Sequence, residues 1–381
     1  MSSELIRMPL GRLIVVGSGP AGNTAALLAS RIGVRVTIID KARHPRVKPC
    51  GGGLTPKTIA LSRILNLDLG EVIEHECGEV VVVTHAGSYL LRFREPLIRV
   101  SRRERLDEFM FREALRNGAE YVNDEVVKVE EGRGGVKVIG RRSIYEADWV
   151  IGADGAPSRV GRSIGLVPRS NAVALMNIAS GKLGIDACIL DFTRVKWGYA
   201  WVFPLGGGDY DVGLGSALKG RYSGLLTSYV NELGLRLGRV MGHLIPYRPP
   251  SQVATRRVML TGDSLGLADP VTGEGIFQAM LSGALSALSL RHSNPTEHYS
   301  ELMGSYLRDN QYALTTAYMV YGIDATFLSR FMGLTGFSQA GVVNIIEKTT
   351  GGKLTYREAL REMVKSMVNA TPRIIKHIPP L

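Results

Sequence analysis

A glycine-rich turn near the start of the chain constrains its fold more than any other feature of the sequence. Gly17, Gly19 and Gly22 follow the apolar run 13–16 with the spacing Gly-x-Gly-x-x-Gly, and a helical pattern continues to Gly33. In such a turn the first glycine permits a tight bend, the second lets the backbone approach a pyrophosphate, and the third packs the helix on its strand. The segment predicts the start of a dinucleotide-binding βαβ unit.

A second buried strand, residues 34–39, completes this unit and ends at Asp40. An acidic side chain in that place accepts hydrogen bonds from the ribose hydroxyls of a dinucleotide. Because the strand, the helix and Asp40 accompany it, the glycine pattern indicates a nucleotide site rather than a chance turn. By itself the pattern fits NAD as well as FAD.

The composition sets wide limits on the function. With 381 residues the chain can form two or three domains, and 45% apolar and 21% charged residues are typical of a globular protein. The formal charge of +11 gives a basic surface. Such a surface is either a solubilising excess of Lys and Arg or an attraction to phosphorylated substrates, acidic lipid headgroups or nucleic acid, and composition does not choose among these.

Cysteine usage and the N-terminus bear on the cellular compartment. Cys50, Cys77 and Cys188 are too few and too scattered for a disulfide framework or a zinc site, so no metal is expected. The first residues, MSSELIRMPLGR, lack the apolar core of a secretory signal, and no uncharged apolar run has the length of a membrane span. We therefore expect a cytoplasmic protein, or one bound peripherally to the inner face of the cell membrane.

The hydrophobic periodicity changes along the chain in a way that indicates two interleaved domains. A second helix is predicted over residues 102–118, and further strands of the first layer over 119–129 and 143–152. Alternating strands broken by Gly and Asp, typical of an antiparallel sheet, fill other segments. We predict an α/β protein (α+β overall) with a Rossmann-like cofactor domain, an antiparallel-sheet substrate domain and a C-terminal helical region. The predicted bounds are 1–65, 99–169 and 246–295 for the first, 66–98 and 170–245 for the second, and 296–381 for the third.

Two later loops favour FAD over NAD. Asp154-Gly155 and Gly262-Asp263 each follow an apolar strand directly. Together with the first glycine turn, and in this order, they resemble the signatures of the p-hydroxybenzoate hydroxylase superfamily of flavoproteins. The resemblance implies non-covalently bound FAD, with Asp263 bonded to the ribityl chain and the Asp154-Gly155 loop beside the pyrophosphate.

The same resemblance implies two more contacts to the cofactor. Arg103, which precedes Asp107 by four residues, matches an arginine that contacts the flavin, and Val126 matches the strand position beside the adenine. Asp40 departs from the pattern because many FAD enzymes carry Glu there. The shorter side chain has less reach to the ribose but the same chemistry.

Three further segments narrow the comparison: Lys48-Pro-Cys50-Gly51-Gly52-Gly53-Leu54, then Tyr199-x-Trp201-x-Phe203-Pro204 followed by Gly213-x-Gly215, and finally residues 269–276. They resemble the geranylgeranyl reductase family, which saturates isoprenoid chains, and within it the archaeal digeranylgeranylglycerophospholipid reductases. The glycine runs let the backbone approach a planar ring closely. A helix that begins after Ile276 would place positive potential at the flavin edge. Because side chains alternate along a strand, the three rings are expected on one face of a sheet.

The resemblance thus implies a complete site. The cofactor-binding residues are expected to be Gly17, Gly19, Ala21, Gly22, Asp40, Lys41, Cys50, Gly51, Gly53, Arg103, Val126, Asp154, Gly155, Gly262, Asp263, Gly275 and Ile276. The catalytic residues are expected to be Cys50, Tyr199, Trp201, Phe203 and Glu274.

Several of these assignments have ordinary structural alternatives. Three aromatic rings on one sheet face usually pack in a core, whereas here they are predicted to form the ceiling of an apolar substrate cavity. Cys50 is either a buried inert thiol or the acid that protonates the alkene while the flavin delivers hydride. Glu274 and a bound water are the other candidates for that acid. Ring faces such as those of Trp201 and Tyr199 would stabilise positive charge building on the alkene.

The expected partners follow from the same resemblance. They are an isoprenoid lipid with a phosphate or phospholipid headgroup, and an external electron donor, NAD(P)H or a ferredoxin-like protein. Four cations either hold that headgroup or serve the FAD phosphates and the solvent: Lys41, Arg43, Arg46 and Lys48. A C-terminal amphipathic helix either lies on an anionic membrane or packs on the protein's own core. Its apolar face consists of Leu360, Met363, Val364, Met367 and Val368.

Other functions fit the same cofactor. An FAD monooxygenase that hydroxylates or epoxidises would share every motif from Gly17 to Asp263, but the Cys50 and Tyr199 segments favour the reductase. A membrane-docked flavoprotein that passes electrons to quinone often adds an iron–sulfur cluster, which three dispersed cysteines do not hold in the usual way. No recognition module for nucleic acid is visible, so nucleic acid is not an expected partner.

Overall fold

The computed structural model of the protein describes residues 11–322, 339–362 and 365. Its organising element is a five-stranded parallel sheet of β1 (Arg12–Val16), β2 (Arg35–Asp40), β8 (Glu120–Asn123), β12 (Trp149–Gly152) and β18 (Val258–Leu260). The strand order is β18-β12-β1-β2-β8. Strand β1 is buried along four of its five residues, as expected for a parallel strand covered on both faces.

A seven-stranded sheet forms the second layer. Its strands are β5 (Glu79–Thr84), β6 (Gly87–Arg92), β13 (Ser170–Ser180), β14 (Cys188–Asp191), β15 (Gly198–Gly206), β16 (Asp209–Ser216) and β17 (Met241–Arg248). The order is β17-β13-β16-β15-β14-β5-β6. Every neighbouring pair is antiparallel except β14 and β5, which run parallel. The predicted fold class, a Rossmann-like unit combined with a mainly antiparallel sheet, is confirmed.

Two small sheets lie beside the large ones. One has the order β3-β7-β4, from β3 (Gly53–Leu54), β4 (His75–Cys77) and β7 (Ile98–Val100). The other has the order β11-β10-β9, from β9 (Val126–Glu131), β10 (Val136–Gly140) and β11 (Ile144–Ala147). The prediction that residues 119–129 and 143–152 extend the parallel layer is therefore confirmed for β8 and β12 and wrong for β9 and β11. Strand β10 shows why, since it buries Val136 and Val138 but exposes Lys137, the alternation of a sheet with one solvated face.

Most of the helices pack around the parallel sheet, whereas α5 packs on the seven-stranded sheet. They are α1 (Pro20–Arg31), α2 (Pro56–Ile64), α3 (Arg103–Arg116), α4 (Arg159–Ser163), α5 (Ser223–Glu232), α6 (Ile276–Ser289), α7 (Pro295–Gly322) and α8 (Gln339–Thr350). Helices α1 and α6 pack closely, because a Cβ atom on Gly283 would lie 2.3 Å from the carbonyl oxygen of Ala21. No helix in the described ranges is both long enough and apolar enough to span a bilayer.

A disulfide between Cys77 and Cys188 joins β4 to β14. The expectation was that three cysteines are too few and too scattered for a disulfide framework, and this single pair was not predicted. The two residues are 111 positions apart in the sequence, yet their Cα atoms lie 5.8 Å apart. Cys188 stands opposite Val80 in the parallel pair of β14 and β5. The pairing results from a long-range strand contact that cysteine spacing does not reveal.

The predicted C-terminal amphipathic helix falls mainly outside the described residues. Its first part, residues 356–362, is helical, whereas four of its five predicted apolar residues lie outside: Met363, Val364, Met367 and Val368. Within the described part, Tyr356, Ala359 and Leu360 line an internal cavity. The beginning of this helix therefore packs on the protein itself.

Candidate active site

A cavity of about 860 Å³ is lined by residues of both large sheets. One end, here called the nucleotide end, is formed by loops that follow parallel strands and includes Gly19, Ala153 and Asp263. The other end, here called the apolar end, is formed by side chains of the seven-stranded sheet and of helices α7 and α8. Ligands of open α/β sheets bind outside the carboxyl ends of the strands, which is where the nucleotide end lies.

The glycine turn at the nucleotide end has the conformation that the sequence predicts. Gly17 has a φ angle of +102°, and a Cβ atom on Gly22 would lie 1.9 Å from the Gly17 carbonyl oxygen. A Cβ on Gly19 would meet only Arg46, 3.5 Å away. Helix α1 begins directly after Gly19, and no side chain caps its N-terminus. Its first N–H groups therefore remain available to a phosphate.

Asp40 lies beside this turn. Its carboxylate accepts hydrogen bonds from the Ser18 N–H (2.7 Å), the Ser18 hydroxyl (2.6 Å) and the Ala42 N–H (2.9 Å). The Ser18 hydroxyl also contacts Nε2 of His44 at 2.7 Å, and the His44 ring stacks on Phe111 with centroids 4.4 Å apart. Burial lowers the pKa of His44, and its buried Nδ1 has no protein partner. This corner presents a carboxylate and an unpartnered imidazole nitrogen.

The four cations predicted to hold a headgroup all lie near the nucleotide end: Lys41, Arg43, Arg46 and Lys48. Lys41 and Arg43 are exposed where β2 ends, whereas Arg46 and Lys48 form ion pairs with carboxylates of the nucleotide motifs. Of the four, only Lys48 lines the cavity. The arrangement favours the alternative interpretation, contact with cofactor phosphates or solvent.

Asp154 uses its side chain within its own loop. The carboxylate accepts hydrogen bonds from the Ser158 hydroxyl (2.6 Å) and from the N–H groups of Arg159 (2.6 Å) and Val160 (3.1 Å) at the start of α4. Burial raises the pKa of Asp154, although these bonds lower it. The next residue, Gly155, has a φ of +75° and no atom within 4 Å of its missing Cβ. The open surface of the loop is thus the backbone of Gly155.

Gly262 and Asp263 form a tight turn after β18. Gly262 has a φ of +57° and packs against Ala21, whose Cβ would be 3.2 Å from a Cβ at Gly262. Asp263 forms an ion pair with Lys48 at 3.3 Å and lies 3.8 Å from Nε2 of His243. Burial, followed by the charge of Lys48, lowers the pKa of His243 to about 4, and its buried Nε2 has no hydrogen-bond partner. The sequence analysis did not single out His243.

Arg103 connects the nucleotide end to Cys50. Its guanidinium binds Asp107 through two hydrogen bonds of 2.8 Å, and Arg46 reaches the same carboxylate at 3.1 Å. Burial alone would lower the pKa of Arg103, but Asp107 and then Cys50 raise it. Burial alone would raise the pKa of Asp107, but Arg103 and Arg46 lower it. The Cys50 side chain lies within electrostatic reach of the Arg103 guanidinium.

The glycines after Cys50 let this segment pack directly against β15, the strand that carries Trp201 and Phe203. A Cβ on Gly51 would lie 3.0 Å from Nε1 of Trp201, and one on Gly53 would lie 3.4 Å from a ring of the same strand. Gly52 has a φ of +66° and donates its N–H to the Cys50 sulfur at 3.4 Å. Cys50 itself is a free, half-buried thiol in the cavity wall.

Tyr199, Trp201 and Phe203 lie on one face of β15, and all three line the cavity. The ring centroids of neighbouring members are 6.1 and 6.4 Å apart. Trp201 and Phe203 are each only 7% exposed and belong to a hydrophobic cluster. The two interpretations offered for these rings are therefore not exclusive, because the rings pack as core residues and also form a cavity wall.

Strand β16 accounts for the glycines that follow the aromatic motif. Gly213 stands opposite Trp201, and a Cβ on it would lie 2.2 Å from the indole ring. The indole Nε1–H donates to Asp211 at 2.8 Å. Burial raises the pKa of Asp211 to about 8, although the bond from Trp201 lowers it. The sequence analysis missed Asp211; the alternation of β16, which places it on the same face as Gly213, is the signal that could have found it.

Glu274 holds helix α2 to the loop that precedes α6. Its carboxylate accepts hydrogen bonds from the hydroxyls of Thr55 (2.5 Å) and Thr58 (3.0 Å) and pairs with Lys57 at 2.9 Å. Lys57 lies over the Phe277 ring, 4.9 Å from its centroid. Burial alone would lower the pKa of Lys57, but Glu274 raises it. A carboxyl group that is already engaged by a cation and two hydroxyl donors is held in place by the protein, which favours a structural role over the predicted role as acid.

Three tyrosine hydroxyls hold the neighbouring residues 269–272. Tyr199 from β15 and Tyr321 from α7 donate to backbone carbonyls, and Tyr356 donates to the Asp269 carboxylate at 2.7 Å. The sequence analysis assigned no such role to these residues, because their partners are distant in the chain. The loop is thereby fixed from three separate elements.

The second helix at the nucleotide end, α6, begins at Ile276 with Gly275 as its N-cap and without a capping side chain. Both residues line the cavity. Val126, by contrast, is buried at the start of β9 and does not contribute to the cavity lining. Two helix N-termini without side-chain caps, those of α1 and α6, therefore border the cavity.

The comparison with known families agrees with this geometry. A family model described as an FAD binding domain matches residues 12–203, which is half of the chain. The chain belongs to this FAD-binding family. Its cofactor is FAD, and the flavoprotein is an FAD-dependent oxidoreductase.

The residues present fit FAD. The open backbone at Gly19 and Gly155 and the uncapped N-termini of α1 and α6 leave room and N–H donors for phosphates. The unpartnered nitrogens of His44 and His243 leave polar groups for a ligand. An extended dinucleotide satisfies both conditions at once.

The flavoprotein is similar to several named proteins. It is 29% identical to a digeranylgeranylglycerophospholipid reductase from Thermoplasma volcanium, with 77% of this chain and 81% of the relative covered. It is 27% identical to a menaquinone reductase from Mycolicibacterium smegmatis, with 96% and 98% covered. A solved geranylgeranyl bacteriochlorophyll reductase-like protein from Thermoplasma acidophilum shares the fold, with a TM-score of 0.70, 21% identity and 96% and 98% coverage.

The fold alone does not identify the reaction. The flavin-dependent halogenase CmlS has a TM-score of 0.71 at 17% identity, with 94% of this chain and 78% of the halogenase covered. A shared architecture with different chemistries means that the substrate side of the cavity must decide the function.

Proposed function

We propose that this oxidoreductase hydrogenates the carbon–carbon double bonds of geranylgeranyl chains in archaeal membrane-lipid precursors such as digeranylgeranylglycerophospholipid. Relatives from Thermoplasma volcanium and Thermoplasma acidophilum carry that lipid in their names, and a relative from Synechocystis is named a geranylgeranyl diphosphate reductase. We also propose that an external donor, NAD(P)H or a ferredoxin-like protein, reduces the cofactor.

One observation carries the proposal: the cavity continues from the cofactor motifs into an apolar chamber. The chamber wall consists of side chains from β5, β6, β13, β14 and α8, among them Val82, Leu91, Phe93, Met176, Leu190 and Ile346. Within the described lining, the Asp, Glu, Lys and Arg side chains all lie on the loops and helices around the cofactor motifs. A hydrocarbon chain gains from burial there, whereas a polar substrate would lose its hydration without compensation.

When bound, FAD supplies the hydride. We infer that the α1 N-terminus at Gly19 and the open loop at Gly155 hold the pyrophosphate, that Asp40 binds the adenosine ribose, and that Asp263 with His243 binds the ribityl chain. These residues have the donors, acceptors and open space that each group requires. The remaining predicted cofactor contacts stay predictions: Gly17, Ala21, Gly22, Lys41, Cys50, Gly51, Gly53, Arg103, Val126, Asp154, Gly262, Gly275 and Ile276.

We infer that Cys50 donates the proton that completes the reduction. Its sulfur lies in the cavity wall, next to the glycine that contacts the Trp201 indole. The Arg103 guanidinium lies within electrostatic reach of the sulfur, so it would stabilise the negative charge that proton transfer leaves there. Trp201, fixed by Asp211 and Gly213, presents an aromatic face on which positive charge at the alkene would be stabilised.

The Cys50→Ser variant tests this role. We expect FAD to remain bound, since the replacement keeps the size of the side chain, and we expect alkene reduction by pre-reduced enzyme to fall by about 10²-fold or more. Single-turnover kinetics with bound FAD checked by its visible absorbance provide the measurement. An unchanged rate would show that the proton comes from another group.

The proposed reaction itself is tested with chemically reduced holoenzyme under anaerobic conditions. We expect digeranylgeranylglycerophospholipid to gain two hydrogen atoms for each double bond reduced, as detected by mass spectrometry. A product that contains oxygen or halogen in a parallel aerobic assay with halide would instead support a monooxygenase or halogenase. No change in the lipid under either condition would contradict the proposal.

A further inference from the structure

The cavity reaches the surface at a rim of exposed apolar side chains. Among the lining residues that the structure describes, Leu218 and Tyr318 are the ones whose side chains remain exposed, at 44% and 56%. Trp197 also lines the cavity and meets Tyr318 edge-on, with ring centroids 5.4 Å apart. We call these three residues the cavity rim. Large apolar side chains at the mouth of an apolar chamber are unusual on a surface that meets only water.

Two of the rim residues lie at the ends of the hairpin formed by β15 and β16, which holds them in place. Trp197 directly precedes β15 and Leu218 follows β16. The Trp197 carbonyl accepts the Ala217 N–H at 2.9 Å, and the Leu218 N–H donates to the Ser216 hydroxyl at 3.1 Å. Trp197 has a φ angle of +55°, a conformation that a bulky residue adopts only where its surroundings impose it. The backbone of the hairpin therefore fixes the positions of Trp197 and Leu218 at the rim.

The charges around the cavity rim have one sign. Lys196, Lys219 and Arg221 are exposed and flank the rim residues in the sequence. No salt bridge involving these three is found in the described part of the chain, whereas nearby Arg194 pairs with Asp191 and Glu232. The three segments that form the rim, 195–198, 216–222 and 311–322, contain no Asp or Glu. Within these three described segments, the rim thus combines aromatic, aliphatic and cationic side chains and no acidic one.

We propose that the cavity rim docks on an anionic lipid bilayer and that an acyl or isoprenoid lipid enters the cavity through it. Trp and Tyr prefer the interface between headgroups and hydrocarbon, and Lys and Arg next to them are attracted to anionic headgroups. The entry of an isoprenoid lipid rests on the proposed function, but the docking itself does not.

A bilayer explains the rim better than an acidic protein does. Both would attract the cations, but only a bilayer offers hydrocarbon directly at the mouth of an apolar chamber. The proposal also differs from the expectation that the C-terminal amphipathic helix lies on the membrane, since the described beginning of that helix lines the cavity.

Sedimentation with lipid vesicles tests the docking. FAD-loaded protein is mixed with vesicles of pure phosphatidylcholine or of phosphatidylcholine with roughly one third phosphatidylglycerol. We expect the protein to sediment with the anionic vesicles, to sediment less with the neutral ones, and to be released from the anionic ones by salt.

A pair of matched double variants locates the contact. Leu218→Asp with Arg221→Glu changes the rim, and Leu288→Asp with Arg291→Glu makes the same substitutions at the same spacing in a region outside the cavity lining. Leu288 is 40% exposed, close to the 44% of Leu218. We expect the rim variant to lose about tenfold or more in partition to anionic vesicles, since each cation near the surface contributes about fivefold and the apolar contact adds to this. The control should stay within about twofold. Both variants are compared only if they retain FAD absorbance.

Three results would overturn the docking: wild-type protein that stays in the supernatant, an equal loss in the two variants, or no loss in the rim variant. The last would assign the rim to another partner, such as a protein. Because sedimentation requires no turnover, it is independent of the proposed reaction. Protein that sediments through its rim but reduces no isoprenoid would remove the proposed function alone, and protein that reduces lipid in micelles but never sediments would remove the docking alone.

Discussion

The two ends of the cavity each bury a carboxyl group, and the protein treats these groups in opposite ways. Asp107, beside the nucleotide end, is held by the guanidinium groups of Arg103 and Arg46, which lower its pKa against the effect of burial. Asp211, behind the apolar end, has the Trp201 indole N–H as its donor, and burial raises its pKa to about 8. One end is stabilised by charge pairing, whereas the other tolerates a carboxyl that stays mostly neutral.

The glycines at the two ends show the same contrast. Gly22 leaves room for a backbone carbonyl, that of Gly17, whereas Gly213 leaves room mainly for a side chain, the indole of Trp201, and also for the carbonyl oxygen of Leu175. A backbone group has nowhere to move, but a side chain can be replaced by a smaller one. The nucleotide end should therefore be rigid towards substitution and the apolar end adjustable.

The largest effect is expected from Gly22→Ala. Its Cβ would lie 1.9 Å from a carbonyl oxygen, so the turn must open, at a cost of roughly 3 kcal/mol or more, and FAD binding should be lost. Visible absorbance of the purified protein gives the measurement. The control is Gly224→Ala, where no atom lies within 4 Å of the added Cβ and FAD should be retained. A Gly22→Ala protein with full FAD occupancy would contradict the prediction that the nucleotide end is rigid towards substitution.

Asp107→Asn should give the next largest effect. The change leaves the buried Arg103 without its anion, which we expect to lower the free energy of unfolding by about 3–5 kcal/mol at neutral pH. Because the pKa of Asp107 is lowered in the folded state, its contribution is present above the ordinary value of 3.8 and is lost as the pH falls through the folded value. Urea denaturation at pH 7 and at acidic pH measures both the loss of stability and its dependence on pH. A loss at pH 7 no larger than that of an exposed Asp→Asn change would contradict the charge-pairing interpretation.

Gly213→Ala should cost about 1–3 kcal/mol, because its Cβ would lie 2.2 Å from the Trp201 indole and 2.6 Å from the Leu175 carbonyl oxygen, and only the indole can be made smaller. Here the comparison predicts a rescue: in a Trp201→Phe background the same change should cost at least about 1 kcal/mol less. Urea denaturation of the four proteins of this double-mutant cycle measures the coupling, and FAD occupancy should be unchanged throughout. Additive effects would show that the apolar end is as rigid as the nucleotide end.

Asp211→Asn is expected to have the smallest effect, with the opposite sign to Asp107→Asn. The folded protein keeps a proton on Asp211 that the unfolded chain releases, so wild-type stability falls as the pH rises from 3.8 to about 8. The shift in the pKa of Asp211 sets an upper limit of about 6 kcal/mol on this loss of stability. Relaxation of the site reduces the expected loss to about 2 kcal/mol. The variant should match wild type below pH 3.8, where Asp211 is protonated in both states, and exceed it at pH 9, where the amide oxygen still accepts the indole N–H. Equal pH dependence of the two proteins would argue against a neutral Asp211.

Features set by neighbouring residues could be predicted from the sequence, and those set by distant contacts could not. The turn at Gly17 to Gly22 and the strand that ends at Asp40 follow from spacing, because consecutive residues determine a tight turn and the helix that it begins. FAD rather than NAD was predicted from the resemblance of later loops to flavoprotein signatures. The aromatic strand with Tyr199, Trp201 and Phe203 was also placed on one face by simple alternation.

Contacts between distant segments were not predictable in this way. The Cys77–Cys188 disulfide, the bond from Trp201 to Asp211 and the ion pair of Lys57 with Glu274 all depend on which strands or helices become neighbours. The assignment of residues 126–129 and 144–147 to the parallel layer failed for the same reason, because an isolated strand pattern does not state its partner.

The amino-acid sequence by itself determined that this protein contains a Rossmann-like dinucleotide-binding unit, since the geometry of a glycine turn is local, and the resemblance of its later loops to flavoprotein signatures indicated FAD. Only the tertiary structure decided that the cofactor motifs open into an apolar chamber, that Glu274 has a structural set of partners, and that the chamber ends at the rim formed by Trp197, Leu218 and Tyr318. Those features arise where segments far apart in the chain meet, and their register is set by packing of the whole molecule.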